Sequence, residues 1–329
     1  MRGALWTLGR WPAAKEAWTL QRTPVQAHAV AASVSHSLVA CADHVLATGQ
    51  AAGGALGTAP DAQTWTQHIL PGRATLLAAG AHTSWFGTRD ALYGCGVGAR
   101  GQLAGAHHTV PPARLATPPA DEVHAGLDHV VLRAGRDVYT CGLNTDGQLG
   151  RADAGRFDRQ LRRVALPPVE WVRAGGDTSL ARTADGVYVW GNTEYGQACL
   201  PGDQLRLPQA MPLDLDVADA RLGGSFALFR TDAGDVYSVG YGATGHGAAD
   251  AQRVQPVRRV ALPAPATCIG AGLELAAAAT RDGVYVWGVW RTAHGARRLA
   301  EPTHVPGSEA VGAVAALAAT RDALLVLAT

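Results

Sequence analysis

The sequence predicts an all-β propeller of seven blades that fills residues 1–329 as one domain. Three observations predict it. First, short strands ending in glycine recur: Leu-Tyr-Gly-Cys-Gly at 92–96, Val-Tyr-Thr-Cys-Gly at 138–142, Val-Tyr-Val-Trp-Gly at 187–191 and 284–288, and Val-Tyr-Ser-Val-Gly at 236–240. Leu-Trp-Thr-Leu-Gly at 5–9 and Val-Leu-Ala-Thr-Gly at 45–49 are weaker copies. The closing glycines Gly9, Gly49, Gly96, Gly142, Gly191, Gly240 and Gly288 stand 40, 47, 46, 49, 49 and 48 residues apart. Such a period marks a repeat architecture. Second, a mark lies sixteen residues ahead of each glycine from Gly49 onward, at Ser33, Gly80, Gly126, Gly175, Gly224 and Gly272. Gly312 opens one more copy, whose partner position is Ala328. Third, between the marks an apolar run leads into a polar turn, such as Thr-Ala-Asp-Gly at 183–186 or Thr-Arg-Asp-Gly at 280–283, and then the next strand. Two β-rich runs joined by Asp-Gly form a hairpin.

Each unit is a few short strands that cannot bury both faces alone. Radial stacking covers those faces and hides most strand edges. The strand at 5–9 has no apolar partner run before it, and the run after Gly312 has no room for a full unit, so the two fragments pair and close the ring. The tail Leu-Leu-Val-Leu at 324–327 duplicates the role of the first strand, and the order of the two is left open.

Composition removes other classes. Forty glycines and eighteen prolines make a turn-rich chain, and 47% hydrophobic residues supply a core. A net charge of +1 from 28 basic and 27 acidic residues is far from that of a nucleic-acid binder. Lys15 is the sole lysine and lies in Ala-Ala-Lys-Glu-Ala, so no P-loop exists. No apolar run reaches membrane-spanning length, and the start lacks a signal-peptide core. Cys41, Cys95, Cys141, Cys199 and Cys268 are odd in number and widely spaced, the pattern of free thiols in a reducing compartment. The expectation is a soluble intracellular protein.

Several motifs reduce to architecture. Gly96-Val97-Gly98-Ala99-Arg100-Gly101 matches a dinucleotide loop, yet Pro111 and Pro112 forbid the helix such a site needs. Cys95 and Cys141 occupy the place of Trp190 and Trp287, an exchange that marks packing of variable size. His36, His82 and His129 fall near the starts of apolar runs, and His107-His108 is an exposed loop pair without further ligands. The pairs Arg162-Arg163, Arg258-Arg259 and Arg297-Arg298 read as solvated surface. Of nine tryptophans, Trp6, Trp190 and Trp287 are blade positions. Trp11 and Trp290 each follow a closing glycine by two residues, at the start of a connecting loop, and Trp18 shares the connection of Trp11. In neighbouring first and last blades these rings serve either as an interface hot spot or as plugs against their own blades.

After the closing glycine several units continue with Gly101-Gln102-Leu103, Gly147-Gln148-Leu149-Gly150, Gly196-Gln197 or Gly54-Ala55-Leu56-Gly57. This combination resembles the regulator of chromosome condensation family of seven-bladed propellers, along essentially the whole chain. The Gly-Gly and Trp-Asp signatures of kelch and WD-type propellers do not recur. Within the family, the nuclear exchange factor for the Ran GTPase carries a basic tail and a projecting β-wedge, and the spacing leaves room for neither. The repeated Gly-Trp-Arg-His-Thr of the plant UV-B photoreceptor is also absent. The run Gly288-Val-Trp-Arg-Thr-Ala-His-Gly295 is similar to one in the short fungal alpha-tubulin suppressor branch. That resemblance implies a non-catalytic regulator without cofactor, metal, nucleic-acid or membrane contact. It implies a monomeric propeller within a heterodimer, bound to a small metal-binding protein of diphthamide synthesis and linked to Elongator and tRNA wobble-uridine modification. Cytoplasmic residence follows, and 34.0 kDa leaves nuclear entry open. Candidate partner-binding residues are Trp11, Trp18, Trp290, Arg291 and His294. The alternative function is guanine nucleotide exchange on a small GTPase of the Ran type.

Overall fold

The computed structural model describes residues 3–9, 18–50, 52–58, 62–250, 254–292 and 295–329. Its strands form seven antiparallel four-stranded sheets. From the axis outward, blade 1 is Ala29–Ala32, His36–Ala40, Val45–Gly49 and Ala62–His68. Blade 2 is Leu76–Ala79, Thr83–Gly87, Leu92–Val97 and His108–Arg114. Blade 3 is Glu122–Ala125, His129–Ala134, Asp137–Leu143 and Phe157–Arg163. Blade 4 is Val169–Gly175, Thr178–Thr183, Gly186–Asn192 and Gln204–Ala210. Blade 5 is Val217–Leu222, Phe226–Thr231, Val236–Gly240 and Gln255–Arg259. Blade 6 is Ala266–Ala271, Leu275–Thr280, Gly283–Thr292 and Gly295–His304. Blade 7 joins the chain ends: Val314–Ala319, Ala323–Ala328, Gly3–Gly9 and Gln21–Ala27.

The inner strands of consecutive blades touch all the way round, with that of blade 7 against that of blade 1. Each of the seven blade boundaries holds its own apolar cluster. Blade 3, for example, meets blade 4 through Val131, Val138, Val172 and Trp190, all buried. Each blade thus has two buried faces, which is why its inner and second strands are nearly continuous apolar runs.

The recurrent glycines have one cause. All seven have φ between 89° and 122°, the left-handed region that glycine alone enters freely. In each blade a carbonyl of the turn before the second strand comes so close that a Cβ on the closing glycine would collide with it. These carbonyls belong to Ser35, His82, Asp128, Asp177, Ser225, Glu274 and Asp322. In blades 1–6 the same carbonyl accepts the N–H of the residue after the glycine, as in Val97 to His82 at 3.0 Å and Leu143 to Asp128 at 2.8 Å. The third strand pairs out of register with the outer strand just before this glycine in blades 1, 3, 4, 5 and 6. That bulge turns the chain into the next loop.

Two sequence expectations need correction. The strands at 5–9 and 324–327 do not duplicate one role. The tail is second from the axis, the N-terminal strand is third, and they pair directly, Leu5 with Leu327 and Gly9 with Ala323. Gly312 does not open the last copy either. The place held by Gly80 and Gly272, whose N–H bonds the carbonyl three residues on, belongs here to Thr320. The closing blade takes its third strand from the other end of the chain, so the sixteen-residue offset has nothing to measure there. In blade 5 the marked place is Gly223 instead of Gly224, because the turn from Thr231 to Asp235 is longer.

Gly142→Ala is expected to cost about 2 kcal/mol or more through left-handed strain and the clash with Asp128. Gly155→Ala, whose Cβ meets only ordinary contact, stays within about 0.5 kcal/mol. Urea unfolding of the two variants measures the difference.

Candidate functional site

Antiparallel order brings two sets of connections to one end of the ring: the turns between inner and second strands, and the loops between third and outer strands. This loop face carries the Gly-Gln-Leu segments. Each glutamine folds its own loop, its Oε1 accepting a backbone N–H two residues earlier: Arg100 to Gln102 at 2.9 Å, Asp146 to Gln148 at 2.9 Å and Tyr195 to Gln197 at 3.0 Å. Two of them also cross a blade boundary. Gln102 Nε2 donates to Asp128 at 2.8 Å, and Gln148 Nε2 to Asp177 at 3.1 Å.

The exchange of Cys with Trp before the closing glycine has a matching explanation. Each side chain reaches the loop of the preceding blade. Trp190 Nε1 donates to the Gln148 carbonyl at 2.8 Å, and Trp287 Nε1 to that of Ala243 at 3.0 Å. The Cys95 thiol donates to Ala55 at 3.3 Å, and the Cys141 thiol bonds the Ala104 backbone. Burial pushes both thiols up to about 12, which leaves them protonated and unreactive near neutrality. His36 and His129 do similar work on second strands, with Nε2 2.7 Å from Ser84 Oγ and 2.9 Å from Ser179 Oγ of the following blade. Burial lowers both imidazoles to about 4; the neighbouring His82 adds to this at His36. His82 itself stands one residue earlier, in the turn, and is exposed. The axial channel is lined by residues such as Ala32, Ala79, Ala125, Gly175, Gly223 and Ala319. Its roughly 80 Å³ admits a few waters but not a substrate-sized molecule.

Blade 6 differs from its neighbours. Its third strand continues past Gly288 to Thr292 and pairs with the outer strand to the tip, Trp290 with Arg297 and Thr292 with Gly295. Trp290 therefore lies in a strand, not at the start of a loop, and is only 3% exposed. Its ring packs with Leu8 and Leu20 of the closing blade region and meets Trp18 edge to face at 5.3 Å. Of the two roles open to these rings, Trp290 fills the packing one. Trp18 is half-buried beneath the Arg297 guanidinium, 5.5 Å from the ring centre. Arg291, also half-exposed, is tied to Glu274 by bonds of 2.8 and 2.5 Å. Trp11 and His294 lie outside the described residues.

A second patch escaped the sequence reading. Tyr195 is 36% exposed and Val254 55% exposed, on either side of the boundary between blades 4 and 5. Tyr241 joins them, its ring 5.9 Å from that of Tyr195. Glu194 precedes Tyr195 in the loop, and at the neighbouring boundary of blades 3 and 4 burial raises the Asp177 carboxyl, which accepts from Gln148. The available signal was positional: the residue before the loop glycine is Arg100, Asp146 or Tyr195, so this place carries the loop face's variable side chain. Among the described residues no group of three His, Cys, Asp or Glu side chains gathers at metal-binding distance, and no helix is long and apolar enough to cross a membrane.

No family model matches the chain. A stretch of 113 residues, 32% of the chain, is 34% identical to the Regulator of chromosome condensation of Drosophila melanogaster. The match spans about a fifth (21%) of that relative's length. Human WBSCR16 superposes with a TM-score of 0.84 at 20% identity, covering 100% of this chain and 98% of its own. Prp20p of Saccharomyces cerevisiae, described with its binding properties to Gsp1p and histones, gives 0.85 at 17% identity, covering 100% and 92%. The fold is a seven-bladed propeller of the regulator of chromosome condensation type.

Two outcomes follow from the geometry. Trp290→Ala lowers unfolding stability by about 3–5 kcal/mol, read in a urea titration. The buried histidines make stability pH-dependent: between pH 6.5 and about 4 the unfolded chain takes up protons that the folded one refuses. Stability is thus lost as pH falls through that window, by up to about 1.4 kcal/mol per histidine per pH unit. Melting curves from pH 7.5 to 4 measure the slope, and it flattens in His36→Asn/His129→Asn.

Proposed function

We propose that this propeller of the regulator of chromosome condensation type is a non-catalytic interaction module that docks another protein on its loop face. The observation that carries the reading is the patch of exposed Tyr195 and Val254 with half-buried Tyr241, in a fold whose recurrent His, Ser, Cys, Trp and Gln side chains are engaged between blades. Tyrosines held by a rigid scaffold are typical interface anchors.

The finer reading names the partner. It is a small metal-binding protein of diphthamide synthesis, with Elongator in the same pathway, so that the pair serves diphthamide formation and wobble-uridine modification of tRNA. The sequence likeness of Gly288–Gly295 to the fungal alpha-tubulin suppressor branch supports it, and the half-exposed Trp18 and Arg291 lie on the loop face. The proposed setting is the cytoplasm, with diffusion into the nucleus at this size.

A second reading is nucleotide exchange on a small GTPase. The fold is shared with Prp20p, which is described with its binding to Gsp1p. The blade 6 hairpin, paired to its tip at Thr292 and Gly295, is an element able to enter a partner's site.

The test is an affinity pull-down of wild type and Tyr195→Ala from lysate of the native organism. Tyr195→Ala is expected to weaken partner capture about tenfold, equal to about 1.4 kcal/mol, with an unchanged melting temperature. A small metal-binding protein with diphthamide or Elongator components supports the finer reading. A GTPase whose nucleotide release the protein accelerates supports the second. Undiminished capture by Tyr195→Ala removes the proposed docking patch.

A further inference from the structure

Three arginines hold the same place in consecutive blades. Arg133, Arg182 and Arg230 stand on second strands opposite Glu122, Trp171 and Asp219 of the inner strands, at the end of the ring away from the loop face. Arg133 is paired with Glu122 at 3.0 Å and Asp121 at 3.5 Å. Arg182 is paired with Asp216 at 3.1 Å and Glu170 at 3.8 Å. Arg230 has neither carboxylate. The strand register puts Ala218 where blade 4 has Glu170, and Pro265 where the next blade supplied Asp216. Among the described residues its one hydrogen bond runs from Nη1 to the Thr231 carbonyl at 3.1 Å. Its Nε is buried without an acceptor.

The carboxylate across the strand is already engaged. Asp219 Oδ1 accepts from Arg173 at 2.7 Å, from Arg221 at 2.5 Å and from the Ala220 N–H at 2.9 Å. Arg173 also pairs with Glu122, a carboxylate that Arg133 uses as well. Arg221 stands opposite Leu228, two residues before Arg230 on the second strand, so both side chains project from the face of blade 5 that meets blade 6, where both act on the Cys268 thiol. Arg221 keeps 30% of its side chain exposed there. A buried guanidinium N–H without a partner is costly. A ligand oxygen bearing negative charge at the accessible end of this half-buried side chain would offset that cost with a short, charge-assisted bond, and the planar guanidinium suits carboxylate and phosphate alike.

We propose that the boundary of blades 5 and 6, on the face opposite the loops, binds an oxyanion, a phosphate or carboxylate group, through Arg230 and Arg221.

Melting temperatures of the full chain in sodium phosphate and in sodium acetate, each against sodium chloride at equal ionic strength, test this. Wild type is expected to gain a few degrees saturably with the bound anion. Arg221→Gln loses most of that gain and Arg230→Met all of it, whereas Arg163→Met on the outer surface keeps it. In chloride alone Arg230→Met melts no lower than wild type, because it removes an unpaired charge. A gain with phosphate only assigns a phosphate group, and a gain with both assigns a carboxylate-tolerant site. An equal gain in wild type and Arg230→Met overturns the proposal, as does the absence of any gain in wild type. A melting temperature of Arg230→Met well below wild type in chloride also overturns it, by marking the arginine as structural.

Discussion

The close approach of one carbonyl to one glycine in every blade governs this ring. The turn between inner and second strands must bring its carbonyl onto the third strand to accept the N–H beyond the closing glycine. Only a residue without Cβ, in the left-handed region, leaves room for it. That contact fixes where the third strand ends and where its bulge lies. The loop that follows is thereby aimed at the next blade. The glutamine, tryptophan and cysteine latches all start from this point.

The latches convert a row of weak sheets into a closed body. An isolated four-stranded blade would expose two apolar faces, and stacking buries both at every boundary. The loop carbonyls of Gln148, Ala243 and Ala55 accept from Trp190, Trp287 and Cys95 of the next blade, so polar satisfaction and apolar packing favour the same register. Ring closure applies this rule to the chain ends, where Leu327 on the second strand and Leu5 on the third lie side by side. Residues that look reactive in the sequence are thereby engaged in the fold. The variable residues at the loop tips and at the opposite channel mouth are free to differ.

Much of the fold was legible because its constraint repeats along the chain. Seven closing glycines imply seven blades, and Cys95 aligned with Trp190 pointed to a shared packing place. The closure order was not legible, since the period runs along the chain while the last blade joins its two ends. Trp290 looked like a loop residue because Gly288 elsewhere in the series ends its strand within a residue or so. In blade 6 the pairing continues to Thr292, and Trp18 from a distant segment covers the ring. Tyr195 was marked only by its place before the loop glycine, where Asp146 stands in the preceding blade. Arg230 was invisible for another reason: its meaning lies in its difference from the carboxylate-paired Arg182, and that equivalence needs the strand register.

The central claim is that one end of the ring docks a protein partner while the repeat's polar side chains hold the blades together. Hydrogen–deuterium exchange of the protein alone and in its purified complex measures this most directly. The account predicts added protection in the loop-face segments 193–200 and 241–250, with second-strand amides already slow in the free protein and unchanged in the complex. Protection confined to the opposite face, or fast exchange of the second strands until the partner binds, would contradict it.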